Sequence, residues 1–341
     1  MPAHATAHAL ASGSDRSRAD GQAAAGSHAA QQRSRRDARH DAWFRLALQG
    51  CALLVLASLL GAALSTLWGG RQILLHDTMG FLTSSQWNPV TGQYGALAPV
   101  FGTLVTSCIA LLLAAPVSFG IAFFLTEIAP AWLRGPVAGA IELLASIPSI
   151  IYGMWGLFVF VPFMASIEPT LSNTLGRLPV VGTLFQGPPL GLGLLTAGVV
   201  LAVMIVPFIT AIMREAFQSV PLRLKESAHA LGSTSWEVVW NIVLPYTRQA
   251  VVGGLFLGLG RALGETMAVT FVLGNSYAIG YSLLMPGTTI SSAIANEFNE
   301  AVGNHRSALI ALGFLLFVVT FVVLLCARLM LRQLAKHGDA R

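Results

Sequence analysis

The sequence predicts an all-α integral membrane protein with six transmembrane helices and both termini in the cytoplasm. Three observations carry that reading. Only 10% of the 341 residues are charged while 55% are hydrophobic, against about a quarter charged in soluble domains. So few charges cannot cover a water-facing surface, and lipid must solvate much of the chain. Six apolar segments, at about 46–68, 98–125, 136–163, 191–212, 248–275 and 307–330, each approach the roughly 20 residues that cross hydrocarbon. The basic residues are also one-sided. With the N-terminus inside, the outer loops hold Arg71, Arg177 and Arg306. The inner segments hold the N-terminal arginines and Arg134, Arg214, Arg223, Lys225, Arg248, Arg328, Arg332, Lys336 and Arg341. That is the asymmetry of the positive-inside rule, and it accounts for the net charge of +5 without nucleic acid.

Residues 1–42 are rich in Ala, Ser, His, Gln, Arg and Asp without an apolar period, and read as a disordered basic cytoplasmic tail. The apolar run that follows is too long and starts too late for a cleavable signal. His4, His8, His28 and His40 are irregularly spaced and read as solvent-exposed filler. Arg33, Arg35, Arg36, Arg39 and Arg45 fit a juxtamembrane segment touching anionic lipid. The transmembrane domain covers 43–336, and 337–341 form a short C-terminal tail. Many of the 34 glycines lie in apolar runs, as where membrane helices approach closely. Cys51, Cys108 and Cys326 each fall in such a run and read as small core packing, not as disulfide or metal ligands. The outer loops at about 69–97 and 276–306 carry Trp87, Tyr94, Tyr281, Glu297 and Glu300. Their aromatics suit either interfacial anchoring or docking of something outside.

The loop at 219–246 between the fourth and fifth spans reads as two short helices. Pro221 suits a helix start and Gly232 a left-handed C-terminal position. Thr234 followed by Glu237 has capping-box spacing. Leu224, Ala228 and Leu231 share one face at helical spacing, and Trp236, Val239 and Trp240 form a second stripe. Pro245 is expected to separate this loop from the fifth span. A short amphipathic helix here suits a groove on a soluble partner, or the bilayer surface.

Within the fifth span, Arg261 and Glu265 stand four residues apart, on one face with Gly254 and Gly258. Facing lipid, each would cost at least about 2.5–3.5 kcal/mol, so both must face protein or water. Two readings stand: a structural pair that locks helices together, or a pathway site in which Arg261 offers donors to a passing anion and Glu265 competes for the guanidinium. Glu142, near Ser146, Pro148 and Ser149, is a further intramembrane candidate whose simpler reading is pairing with a neighbouring base.

The run Glu226-x-Ala228-x-x-x-Gly232, followed after nine residues by Ile242-x-Leu244-Pro245, resembles the EAA loop of the binding-protein-dependent ABC-importer permeases. Ser227 stands where that motif usually has Ala, a small-for-small change. Three further stretches resemble the PstC-type permeases of bacterial phosphate importers: Glu142 to Gly156, Gly258 to Thr270, and Met285 to Phe298. The likeness runs from about 43 to 336. It implies a type I importer permease fold in the bacterial inner membrane, with Arg261 and Glu265 associated with phosphate passage. It further implies a PstA-like permease partner, two ATPase subunits that bind the ATP and magnesium, and a periplasmic phosphate-binding protein. The first loop helix would couple to an ATPase cleft. In accord with this, the chain has no Gly-rich phosphate loop with Lys-Ser or Lys-Thr, and no cofactor of its own is expected. The rival readings are the same machine carrying sulfate or molybdate, a passive or ion-coupled transporter, and a component of phosphate-status signalling. The second would be favoured by internal repeats, of which none is clear.

Overall fold

The computed structural model describes residues 43–179 and 182–336. The N-terminal tail, with its histidines and the arginines before Arg45, and the segment 337–341 lie outside the described residues. The chain divides into two units, Met1–Leu64 and Ser65–Arg341. The first contributes most of helix α1 (Trp43–Gly69), whose residues up to Leu64 are almost all exposed and apolar. A helix apolar all round requires lipid or protein about it.

The second unit begins with two short helices, α2 (Arg71–His76) and α3 (Thr78–Thr83), and a two-stranded hairpin, β1 (Trp87–Asn88) and β2 (Gln93–Tyr94), pairing Trp87 with Tyr94. Helix α4 (Leu97–Phe123) runs on through a π-turn to Ile128. Helix α5 (Ala131–Ala145) precedes α6 (Ser149–Trp155), which a π-turn at 156–160 joins to α7 (Val161–Thr174). Helix α8 (Leu194–Gln218) leads to the short α9 (Leu222–Ala230). A π-turn at 239–243 then joins α10 (Ser235–Val238) to α11 (Leu244–Leu263). Two short helices, α12 (Met267–Val272) and α13 (Ile290–Glu297), precede α14 (Gly303–Lys336). Among the described residues six helical stretches are long and apolar enough to cross a membrane.

Two of these stretches depart from the sequence expectation. The third runs Ser149–Thr174, not 136–163. Pro148 bars the preceding Ile147 from the helical region, so α5 ends at Ala145, with Ser146 as its C-cap, and the crossing starts anew. At its far end Glu168, the one charge in the stretch, is 1% exposed and accepts from the Gly191 N–H at 2.9 Å. The fifth stretch is Ser235–Leu263, not 248–275. Pro245 does not interrupt it, because the wider π-turn just before absorbs the missing N–H. The helix instead ends at the Gly264-Glu265-Thr266 break. The three cysteines are free and exposed rather than core. An apolar run does not reveal its inward face when lipid is as apolar as the core.

Helix α8 is the centre of the bundle. Leu201, Ile205, Ile209, Met213 and Phe217, at steps of four, are essentially inaccessible. Along the contact α4 carries a stripe of small groups, Ala110, Ala114, Ser118 and Ala122, all 0% exposed, with Phe119 meeting Phe217 edge-on at 5.7 Å. Such a stripe lets backbones approach closely, and the Ser118 hydroxyl donates across the contact to the Val206 carbonyl at 3.1 Å. On the other side α11 closes on α8 through glycine. A Cβ at Gly258 would stand 2.6 Å from the side chain of Ile209, and one at Gly254 2.8 Å from Ile212. Those contacts fix which face of α11 meets the core, and so where Arg261 lies.

Candidate functional site

Arg261 continues the stripe of Gly254 and Gly258 in the last turn of α11. It is exposed, and its guanidinium carbon lies 5.7 Å from the centroid of the Phe208 ring on α8, a cation–π distance. The pairing expected with Glu265 does not form. An i,i+4 pair needs a continuous helix, and α11 stops at Leu263, two residues too soon. Glu265 lies in the break, half-buried, and its Oε1 accepts from the Ala268 N–H at 3.3 Å in the first turn of α12. Among the described residues no carboxylate pairs with Arg261. The arrangement leaves a planar fork of donors in the bundle, held against an aromatic face and open to an oxyanion.

Glu142 behaves otherwise. Its Oε1 accepts from Arg214 Nη2 at 2.9 Å, with the Glu142 side chain 60% exposed. The base it pairs with therefore belongs to α8, and the pair bridges α5 to the end of that helix.

In the 219–246 loop the local signals appear as read. Gly232 has φ 91°, and Thr234 and Glu237 exchange the reciprocal capping bonds. The second short helix, however, is the first turn of the long fifth stretch. The face expected from Leu224, Ala228 and Leu231 is split: Ala228 is buried, whereas Leu224 is exposed, and so is Leu231, because α9 ends at Ala230 and turns before it. Glu226 is exposed and Pro245 is exposed, while Ile242 and Leu244 pack against the main core. Trp236 and Trp240 lie against Phe123 and Phe119 of α4 at centroid distances of 5.5 and 6.0 Å. The loop thus stands on a fixed base and offers α9 outward.

Two constellations escape sequence reading. Near α9, Lys225 Nζ donates to Glu127 Oε1 at 2.6 Å, with side chains 12% and 9% exposed. Away from α9, Glu297 gathers the loop after α1 and the loop before α14. Trp87 Nε1 donates to its Oε2 at 2.8 Å, the Tyr277 hydroxyl to its Oε1 at 2.5 Å, and His305 Nε2 lies 2.8 Å from Oε2. The Trp87 and Tyr277 rings stack at 5.1 Å, as do Tyr94 and His305 at 5.6 Å. Burial and the adjoining Glu297 carboxylate push the Tyr277 phenol far above its ordinary value; Tyr94 is raised too, first by burial and then by the same charge. Trp87 and Glu297 were visible in the sequence as loop residues. That the two loops fold on each other was not.

The profile of the family described as "Binding-protein-dependent transport system inner membrane component" matches residues 96–336. The chain belongs to this family. Among its relatives is the "Phosphate transport system permease protein PstC" of Xylella fastidiosa (strain 9a5c), 64% identical over 309 residues, spanning 90% of this chain and 95% of that protein. The protein of the same description from Pasteurella multocida (strain Pm70) is 56% identical over 294 residues, 86% of this chain and 92% of that one. Among solved structures, a chain of the bacterial alginate ABC transporter in complex with an alginate pentasaccharide-bound periplasmic protein aligns with TM-score 0.61. It is 20% identical over 88% of this chain and 98% of its own, and so speaks for the fold alone. This permease is a multi-pass membrane protein of the ABC importer type.

Proposed function

We propose that this chain forms one half of the translocation pathway for inorganic phosphate in an ATP-driven importer of the bacterial inner membrane, and itself performs no bond chemistry. The observation that carries the reading is Arg261, a guanidinium without a carboxylate partner among the described residues, at the end of a core helix in a permease whose relatives are described as phosphate permeases. Arginine's fork matches two phosphate oxygens at once. An anion held by one cation and no second binding group can also leave again. Glu265, close by in the helix break, supplies a carboxylate that repels a lingering anion.

The rest of the machine follows as proposal. A PstA-like permease encloses the other side of the pathway, and a periplasmic phosphate-binding protein docks on the outer loops held by Glu297. With the positive ends of the chain in the cytoplasm, α9 faces two ATPase subunits, which hold the ATP and magnesium. Closing of the ATPase pair moves α9, opens the cavity outward and admits phosphate past Arg261; hydrolysis resets it. The test is labelled-phosphate uptake at low micromolar concentration in cells lacking their own permease, complemented with this chain, with sulfate and molybdate as competitors. Uptake that resists both supports the reading. Inhibition by either keeps the importer and changes its cargo.

A further inference from the structure

Helix α9 is attached to the rest of the molecule by little. Leu222, Arg223, Leu224, Glu226, Ser227 and His229 are all exposed, and only Ala228 and Lys225 turn inward. Ala228 contributes a methyl group. Lys225 contributes a part-buried cation with two partners on two different helices: Glu127 Oε1 at 2.6 Å, in the π-turn that ends α4, and the Phe217 carbonyl oxygen at 3.2 Å, in the last turn of α8. Both charged side chains are nearly out of solvent. Apolar packing holds a helix without fixing its direction, whereas a buried, charge-assisted bond has one good geometry and a large penalty for leaving it. The ends joined are also mechanically placed. Phe217 and Phe208 belong to the same buried helix, and Phe208 is the ring beneath Arg261.

We propose that Lys225 and Glu127 form a rigid strut that makes α9 move as one body with the ends of α4 and α8, so that displacement of α9 reaches the bundle instead of being lost in a hinge. The two are positioning residues for transport. The inference rests on the reading of α9 as the ATPase-facing helix, and spatial continuity alone is not coupling, so the test must separate the two.

The experiment uses the complete importer with its partner subunits. Lys225→Met is expected to lower phosphate uptake about tenfold at normal membrane level, with more ATP hydrolysed per phosphate imported, and the exchange Glu127→Lys with Lys225→Glu to recover most of the loss. A simple fold anchor would move the membrane level and leave the ATP-to-phosphate ratio alone. The direct readout is a bridge. With Cys51, Cys108 and Cys326 replaced by serine, Glu127→Cys with Lys225→Cys should import poorly. Joining the two thiols with a short bifunctional reagent should restore uptake, since a strut does not change length. Uptake abolished by the bridge would show that α9 must move against α4, and would overturn the proposal. So would full uptake with an unchanged ATP ratio in Lys225→Met. Leu224→Asp, on the exposed face, serves as the separate check. If it blocks uptake while Lys225→Met does not, the strut fails alone; if it leaves uptake whole, the ATPase-facing reading of α9 fails first.

Discussion

Two arginines lie against the central helix region, and they are held in opposite ways. Arg214 belongs to α8, is 18% exposed in its side chain and has its carboxylate, Glu142, at 2.9 Å. Arg261 belongs to the neighbouring α11, is exposed, and has an aromatic ring where a carboxylate would serve to neutralise it. A cation with its counter-ion is largely neutralised and draws an anion less strongly. One resting on a ring keeps its in-plane donors free. The contrast separates a charge that joins helices from a charge that waits for an anion, and it arises from one detail of the chain: α11 ends before Glu265 can reach back.

The sharpest way to break the contrast is to remove the free charge. Arg261→Gln should lower phosphate uptake by about 10- to 100-fold, the equivalent of the ~1.5–3 kcal/mol of a hydrogen bond to a charged group, with normal membrane level by immunoblot. Next in size is the outward helix. Glu226→Lys should uncouple uptake from ATP hydrolysis by roughly tenfold, about 1.4 kcal/mol, since it reverses a charge on the face offered to a fitted partner; unchanged uptake would sink the docking role of α9. The paired arginine should respond little. Glu142→Gln removes an exposed ion pair worth about 0–1 kcal/mol, so uptake should stay within about twofold and the melting temperature nearly unchanged.

The effect expected on stability rather than uptake concerns the cluster about Glu297. Tyr277→Phe removes one hydrogen bond to a carboxylate, about 1.5–3 kcal/mol, read as a lower melting temperature at neutral pH. Because burial and Glu297 raise the phenol above its free value, the folded state keeps the proton where the unfolded chain gives it up. That contribution is whole below about pH 10 and fades as pH climbs towards the raised value. The gap between wild type and Tyr277→Phe should therefore narrow above pH 10. A gap that widens there would contradict the assigned bond.

What the sequence made legible was local. Six long apolar helices follow from hydropathy, the left-handed turn from Gly232 and the capping box from Thr234 and Glu237, because each is decided within a few residues. The limits of the third and fifth stretches were not legible. Both turned on prolines: Pro148 ends a helix by restricting Ile147, while Pro245 is tolerated beside a π-turn that hydropathy does not reveal. Arg261 and Glu265 could be named as intramembrane charges, yet their relation depended on where α11 stops. Longer-range constellations carried no sequence signal. Glu127 meets Lys225 across 98 positions, and Trp87 meets Glu297 across 210; only the packed bundle brings them together. The cysteines mark the complementary failure, since a membrane helix is apolar towards lipid and core alike.

The most direct test of the central claim sets the two arginines side by side: labelled-phosphate uptake by Arg261→Gln and by Arg214→Met, each normalised to the amount of permease in the membrane. The account predicts that the first loses transport at normal level and the second keeps most of its uptake per molecule. Normal uptake by Arg261→Gln, or equal losses in both, would contradict it and make Arg261 one more structural charge of the bundle.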